Sequence, residues 1–139
     1  GTVNGYRPRD AVWYNYYTTS KGIMEKQKAG DPEFNVQDYI LDDIRSNDFG
    51  PYADKNGVLR VNFLSNNDIT GGNSGSPVFN GKAELVGLAF DGNWESLSGD
   101  ILFEPEMQRT ISVDIRYVLY IIDRVMDAPH IVKELKMAK

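Results

Sequence analysis

The octapeptide Thr70-Gly71-Gly72-Asn73-Ser74-Gly75-Ser76-Pro77 limits the architecture of this chain more than any other stretch. A run this rich in glycine favours neither helix nor strand, so it reads as a turn. It leads directly into Val78-Phe79, then Asn80-Gly81, then the apolar run from Glu84 to Phe90. Asn-Gly between two apolar runs is the strongest short hairpin cue, which puts the turn on a β scaffold. Two readings of the turn stay open. One is an ordinary polar connection between strands. The other is a nucleophile loop, in which Ser74 Oγ attacks an acyl carbon and the Gly72 and Ser74 N–H groups receive the oxyanion. Residues without Cβ allow such a close backbone approach and let N–H groups two apart converge on one point.

At 139 residues with 41% hydrophobic content, the chain is sized for one domain, expected over 1–139 with a terminal helical segment over 115–139. The charge is mixed, with a net of −5 and no basic cluster, so nucleic acid is not an expected partner. Cysteine is absent, which excludes disulfides, thiolate zinc sites and a cysteine nucleophile. No apolar run approaches the ~20 residues that span a bilayer. No cofactor or metal is expected; Asp42-Asp43 lacks further oxygen ligands at fixed spacing and reads as a solvated helix face. Gly1 to Gly5 show neither an initiator Met nor a basic-then-apolar leader, so the expectation is a removed leader or an excised piece of a longer protein.

Taken in order, an edge strand over 3–6 precedes short strands over 11–19, 58–64, 76–80, 84–90, 101–103 and 110–113. The stretch 11–19 is dense in aromatic and β-branched residues, with Val12, Tyr14, Tyr16 and Thr18 expected on one face of a single strand. Residues 20–57 form an excursion in which Val36, Tyr39, Ile40 and Ile44 have helical spacing. Gly87 inside its strand marks a place of close backbone approach. Residues 101–103 are expected to pair with 110–113. Asp114 is placed to N-cap a helix whose apolar face runs Ile115, Val118, Leu119, Ile122 and Val125. A second helical stretch starts after Pro129.

The segment Gly72-Asn73-Ser74-Gly75-Ser76-Pro77 resembles the Gly-Asp-Ser-Gly-Gly-Pro loop of chymotrypsin-like serine proteases. Asn73 replaces the aspartate that pairs with a newly cut N-terminus, so activation by that ion pair is not implied. Residues 67–77, 87–95 and 108–118, with 1–6 and 9–12, narrow the likeness: together they resemble the C-terminal part of the bacterial dipeptidyl-peptidase 7/11 family. The resemblance implies a mainly β fold, the chymotrypsin-like (trypsin-like) six-stranded β-barrel that forms the second barrel of a double-barrel serine protease. It also implies a serine-type dipeptidyl-peptidase that releases dipeptides from free N-termini of oligopeptides, in the bacterial periplasm or at the cell surface. Ser74 matches the nucleophile, Asp91 the carboxylate that pairs with the substrate ammonium, and Gly92 the S1 position, where glycine suits apolar P1 side chains. Read from the residues alone, Asp91 is equally a turn-capping aspartate before Gly92.

A serine nucleophile needs a general base, and the only histidine, His130, follows Pro129 in the terminal helical stretch, where a surface position is expected. In the family the resemblance points to, histidine and aspartate lie on the first barrel. The chain is therefore expected to be a fragment, inactive alone, with the missing N-terminal barrel as its partner. A homodimer through the same face is a second option. A glutamyl-endopeptidase-like protease and a non-catalytic peptide-binding barrel are the competing readings. Asp68, six residues before Ser74, also allows a basic P1 preference, ranked below the apolar one.

Overall fold

Alternation of apolar and polar side chains builds the sheets of the computed structural model, which describes residues 1–99 and 101–138. β1 (Tyr6–Arg9) and β2 (Val12–Tyr14) form a two-stranded antiparallel ribbon, turned at Ala11 with φ +62°. β3 (Tyr17–Thr19), β4 (Arg60–Ser65), β5 (Pro77–Phe79), β6 (Leu85–Gly92) and β7 (Thr110–Asp114) form a five-stranded sheet in the order β3-β4-β7-β6-β5. Along β4, Val61, Phe63 and Ser65 point inward while Arg60, Asn62 and Leu64 are less buried, the period-2 pattern of a sheet with one covered face.

The expected six-stranded closed barrel is not what these pairings make. β7 is hydrogen-bonded on both edges, to β4 through Asn62↔Val113 and Ser65↔Thr110, and to β6 through Leu88↔Val113 and Gly92↔Thr110. No ladder is left for residues 101–103, which are irregular, with Ile101 92% exposed. The single aromatic strand expected over 11–19 is also two strands in different sheets. Asn15 explains the break: its Oδ1 accepts the Tyr16 N–H at 2.8 Å, satisfying locally an amide that a continuous strand would have to pair. At Asn80-Gly81 the connection is longer than a two-residue hairpin. The Asn80 side chain accepts the Lys82 and Glu84 N–H groups, and the left-handed residue is Ala83 with φ +60°.

The chain divides into two compact units, Gly1–Thr18 with Val61–Ile115, and Thr19–Arg60 with Arg116–Lys139. The first contains most of the strands, and its buried apolar side chains are Tyr6, Val61, Phe63 and Ala89. Gly87 is where the sequence placed a close approach: a Cβ there would lie 2.6 Å from Phe63 Cε1 and 2.6 Å from Val113 O.

The second unit joins the excursion to the terminal helices. α1 (Ser20–Lys26) and α2 (Asp38–Ser46) precede a 3-10 turn at Gly50–Tyr52. α2 buries Leu41 and Ile44, leaves Tyr39 exposed, and ends at Asn47 in the left-handed conformation. α3 (Ile115–Tyr120) continues into a π turn at Ile121–Val125, and α4 (Pro129–Lys133) follows. Leu41, Ile44, Phe49, Tyr52, Leu59, Leu119 and Tyr120 are the buried apolar residues here. Phe49 and Tyr52 meet the Tyr120 ring edge-on at 5.7 and 6.3 Å. Their polar ends are tied to carboxylates: Tyr52 OH donates to Asp123 at 2.8 Å, and Tyr120 OH donates to Asp43. Asp42 instead pairs with Arg45 on the surface, so the two adjacent aspartates have separate structural partners.

Burial, helped by the Asp123 carboxylate, pushes the Tyr52 phenol up to about 12, and burial with Asp43 raises Tyr120. A raised folded-state pKa contributes stability that is complete below the unfolded value of about 10 and is lost as pH rises through the folded value. The thermal midpoint is therefore expected to fall between pH 10 and about 12, and to fall less steeply in Tyr52→Phe; equal slopes in both proteins would contradict this. In the first unit, Gly87→Ala is expected to cost about 3 kcal/mol in urea unfolding, because one clashing atom is a backbone carbonyl that cannot move aside.

Candidate active site

The loop from Thr70 to Ser76 consists of two consecutive turns. Asn73 N–H donates to Thr70 O at 3.2 Å and Ser76 N–H to Asn73 O at 3.0 Å, while Asn73 Oδ1 accepts the Thr70 N–H at 2.9 Å. Asn73 thus closes the loop with its own side chain, a role independent of any ion pair. Gly72 and Gly75 have φ of +98° and +87°, a region that a residue with a Cβ enters only at a steric cost. The loop is fixed to β6 by Ala89, whose carbonyl accepts the Gly75 N–H at 2.7 Å and whose N–H donates to Ser76 O at 2.9 Å. Within the loop, the amides of Thr70, Asn73, Gly75 and Ser76 are bonded, whereas those of Gly71, Gly72 and Ser74 have no acceptor among the described residues. The two N–H groups singled out as oxyanion donors are among those left free.

Ser74 is exposed, and its Oγ donates to Phe90 O at 3.2 Å. That contact comes from a feature the sequence did not signal. The β6–β7 register slips between Ala89 and Asp91, so Phe90 is the extra residue of a β-bulge, and its carbonyl is available to the serine. Beyond Ala89, the edge of β6 that faces the loop has no strand partner among the described residues, since β5 pairing ends at Pro77↔Leu88. The hydroxyl therefore rests on a carbonyl, which accepts a hydrogen bond but cannot take up the proton.

Ser74, Asp91 and Gly92 line one cleft of about 280 Å³ with Thr70, Gly71 and Phe90. Asp91 is exposed and its Oδ1 accepts the Gly92 N–H at 2.8 Å, so the turn-capping role is realised while the second carboxylate oxygen has no partner among the described residues. Asp68 is exposed and lines a different cavity, of about 550 Å³, between residues 1–3 and β5. His130 is exposed on α4 in the second unit.

Behind the cleft lies a polar network that sequence reading missed. Asn93, 8% exposed, uses both donors and both acceptor sites. Its Nδ2 donates to Met107 O and Glu95 Oε2, each at 2.8 Å; its Oδ1 accepts Arg109 N–H at 2.8 Å and Ser96 Oγ–H at 2.5 Å. Arg109 is 4% exposed, and its guanidinium donates to the carbonyls of Gly5, Pro105, Glu106 and Gln108 and stacks over Tyr6 at 5.4 Å. Burial pushes the Tyr6 phenol above its ordinary value; the Asn93 contact opposes this and Glu95, which accepts the Tyr6 hydroxyl, adds to it. The only hint in the sequence was Asn93 following a Gly at a strand end.

The sequence profile of peptidase S46 matches residues 1–137. The chain belongs to the peptidase S46 family. Dipeptidyl-peptidase 7 of Porphyromonas endodontalis is 62% identical over 139 residues, covering 100% of this chain and 17% of that protein. The Asp/Glu-specific dipeptidyl-peptidase of Capnocytophaga gingivalis is 48% identical over 139 residues, 100% of this chain and 20% of that protein. The crystal structure of Porphyromonas endodontalis DPP11 in complex with the dipeptide Arg-Glu superposes with a TM-score of 0.92 at 42% identity, over 95% of this chain and 19% of that one. The chain thus spans about a fifth of the length of these relatives.

If Asn93 organises this wall, Asn93→Ala leaves the Arg109 N–H, Met107 O and Ser96 hydroxyl without their partner. At about 1–3 kcal/mol for each buried orphan, the expected loss is about 3 kcal/mol in urea unfolding. A change below about 0.5 kcal/mol would show the network to be peripheral.

Proposed function

We propose that this chain is the serine-bearing part of a dipeptidyl-peptidase that removes dipeptides from free N-termini of oligopeptides, with a preference for apolar P1 side chains. The observation that carries the reading is that Ser74 and Asp91 share one cleft, separated only by the bulged Phe90 and the loop it contacts. Ser74 Oγ attacks the carbonyl carbon of the second substrate residue, and the free N–H groups of Gly72 and Ser74 receive the developing oxyanion. A base supplied from outside this chain takes the hydroxyl proton and returns it to the leaving amine. Collapse of the tetrahedral intermediate thus expels the shortened peptide and leaves a dipeptidyl ester on Ser74, which water hydrolyses to free the dipeptide and the serine.

Asp91 accounts for the length of the product. An α-amino group with pKa near 8 is largely cationic at neutral pH, and a carboxylate with one unpartnered oxygen anchors it a fixed distance from the nucleophile. The unpaired edge of β6 after Ala89 offers backbone groups along which a short extended peptide can lie. Gly92 adds no side chain to the cleft, which suits an apolar P1, and the greater identity to the dipeptidyl-peptidase 7 relative than to the Asp/Glu-specific one, 62% against 48%, speaks against an acidic P1. In the parent protein the strands described here belong to a trypsin-like catalytic domain whose histidine and aspartate come from outside this chain. Export to the periplasm or cell surface, where oligopeptides arrive, accompanies this reading.

The test uses the full-length parent with matched peptides carrying free or acetylated N-termini. Dipeptide release is expected from the free peptide only, and Ser74→Ala is expected to lower kcat by roughly 10⁴ to 10⁶. Cleavage that ignores acetylation would sink the exopeptidase reading. The 139-residue chain alone is expected to give no measurable turnover, because Ser74 Oγ meets a carbonyl rather than a base; turnover abolished by Ser74→Ala would overturn that expectation.

A further inference from the structure

We propose that Ser96 is a specificity-determining residue of the Ser74 cleft, setting its depth jointly with Gly92; the proposal rests on the dipeptidyl-peptidase reading above. A glycine at the S1 position suggests empty space, yet here the space beside it is already occupied. A Cβ on Gly92 would lie 3.0 Å from Ser96 Cβ and 3.4 Å from Ser96 Oγ. Ser96 lines the same cleft as Ser74, Asp91 and Gly92. Packed against a backbone with no side chain, Ser96 forms part of the wall that a P1 side chain would meet.

Ser96 cannot easily swing away. Its hydroxyl donates to Asn93 Oδ1 at 2.5 Å, with Arg109 O a longer neighbour at 3.4 Å. The Asn93 side chain is in turn held by three further hydrogen bonds and is buried, so the rotamer of Ser96 is set from behind the wall. With its proton directed to Asn93, the hydroxyl has only acceptor capacity left for the cleft. An acceptor oxygen repels a carboxylate and tolerates an apolar group, so the same residue that limits depth also disfavours acidic P1. Asn93 is a positioning residue in this scheme, acting through Ser96.

The two positions should therefore behave as one unit. In the full-length parent, assayed with free dipeptidyl substrates of P1 Leu and P1 Ala, Ser96→Thr is expected to lower the Leu-to-Ala ratio of kcat/KM about tenfold, mainly through KM, since it shrinks ground-state binding space. Ser96→Ala is expected to shift the ratio the other way. Gly92→Ala is expected to lower kcat/KM for P1 Leu about tenfold, and Ser96→Gly in the same protein to recover most of that loss, because the close contact is removed. Equal changes for both substrates, or effects of Gly92→Ala and Ser96→Gly that simply multiply, would overturn the role of Ser96 while leaving the dipeptidyl-peptidase reading intact. A parent that releases no dipeptide from unblocked peptides overturns both. The opposite shifts expected from Ser96→Thr and Ser96→Ala keep the test decisive if one of them folds poorly.

Discussion

Ala89 makes two backbone hydrogen bonds that hold the serine loop to the sheet, accepting from Gly75 and donating to Ser76. Everything else about the cleft follows from that attachment. A loop with two glycines at positive φ has many conformations of similar energy, and its entropy is a cost that a native geometry must offset. Two backbone bonds to a buried residue in a strand that is itself paired on both sides select one of them. Asn73 then closes the remaining freedom from inside. The unbonded Gly72 and Ser74 amides are a consequence: with Gly71, they are what is left among the described residues once four loop amides have found partners within the loop or on Ala89.

The arrangement also relates the loop to the residues that come later in the chain. The strand that anchors the loop is the strand that carries Asp91 and Gly92, so nucleophile and proposed anchor are set by a single element and its bulge at Phe90. Movement of β6 would carry both. Behind it, Arg109 is a buried cation whose guanidinium donates to four carbonyls and lies over a ring face in place of a carboxylate. Four carbonyls and a π face spread the charge over the segment 105–109 and reach back to Gly5, tying irregular chain to the first ribbon.

The parts of this structure that were legible in the sequence are those decided locally. The Ser74 turn, the strands around it, the approach at Gly87 and a helix near Ile40 all follow from glycine, alternation or helical spacing. What escaped was decided by partners distant in the chain. Residues 101–103 have strand-like composition, but β7 had no free edge to offer them. The aromatic run 11–19 has strand propensity throughout, yet one asparagine side chain split it between two sheets. Apart from the helix near Ile40, the excursion over 20–57 gave no sign of its packing because its core is completed by Leu119 and Tyr120 from the end of the chain. Of the candidate site, Ser74, Asp91 and Gly92 come to one cleft, while Asp68 lines another. The bulge at Phe90 had no local signature and the Asn93 network only that of an asparagine after a strand-end glycine, since each exists only once β6 lies against β7 and 93 meets 109.

The resting contact of Ser74 bears on how such a site is used. A neutral hydroxyl-to-carbonyl bond contributes about 0.5–1.5 kcal/mol net, and at an exposed position water replaces it readily. The hydroxyl is therefore held loosely, while its backbone is held by Ala89 and Asn73. That division suits a nucleophile whose base is supplied from another part of the parent: the expensive ordering of the loop is complete before the base arrives, and only a weak bond must be exchanged when it does. By the same argument, the specificity wall proposed at Ser96 would need its firm hold on Asn93, because a wall that yielded as easily as the Ser74 hydroxyl could not discriminate between side chains differing by a methylene group.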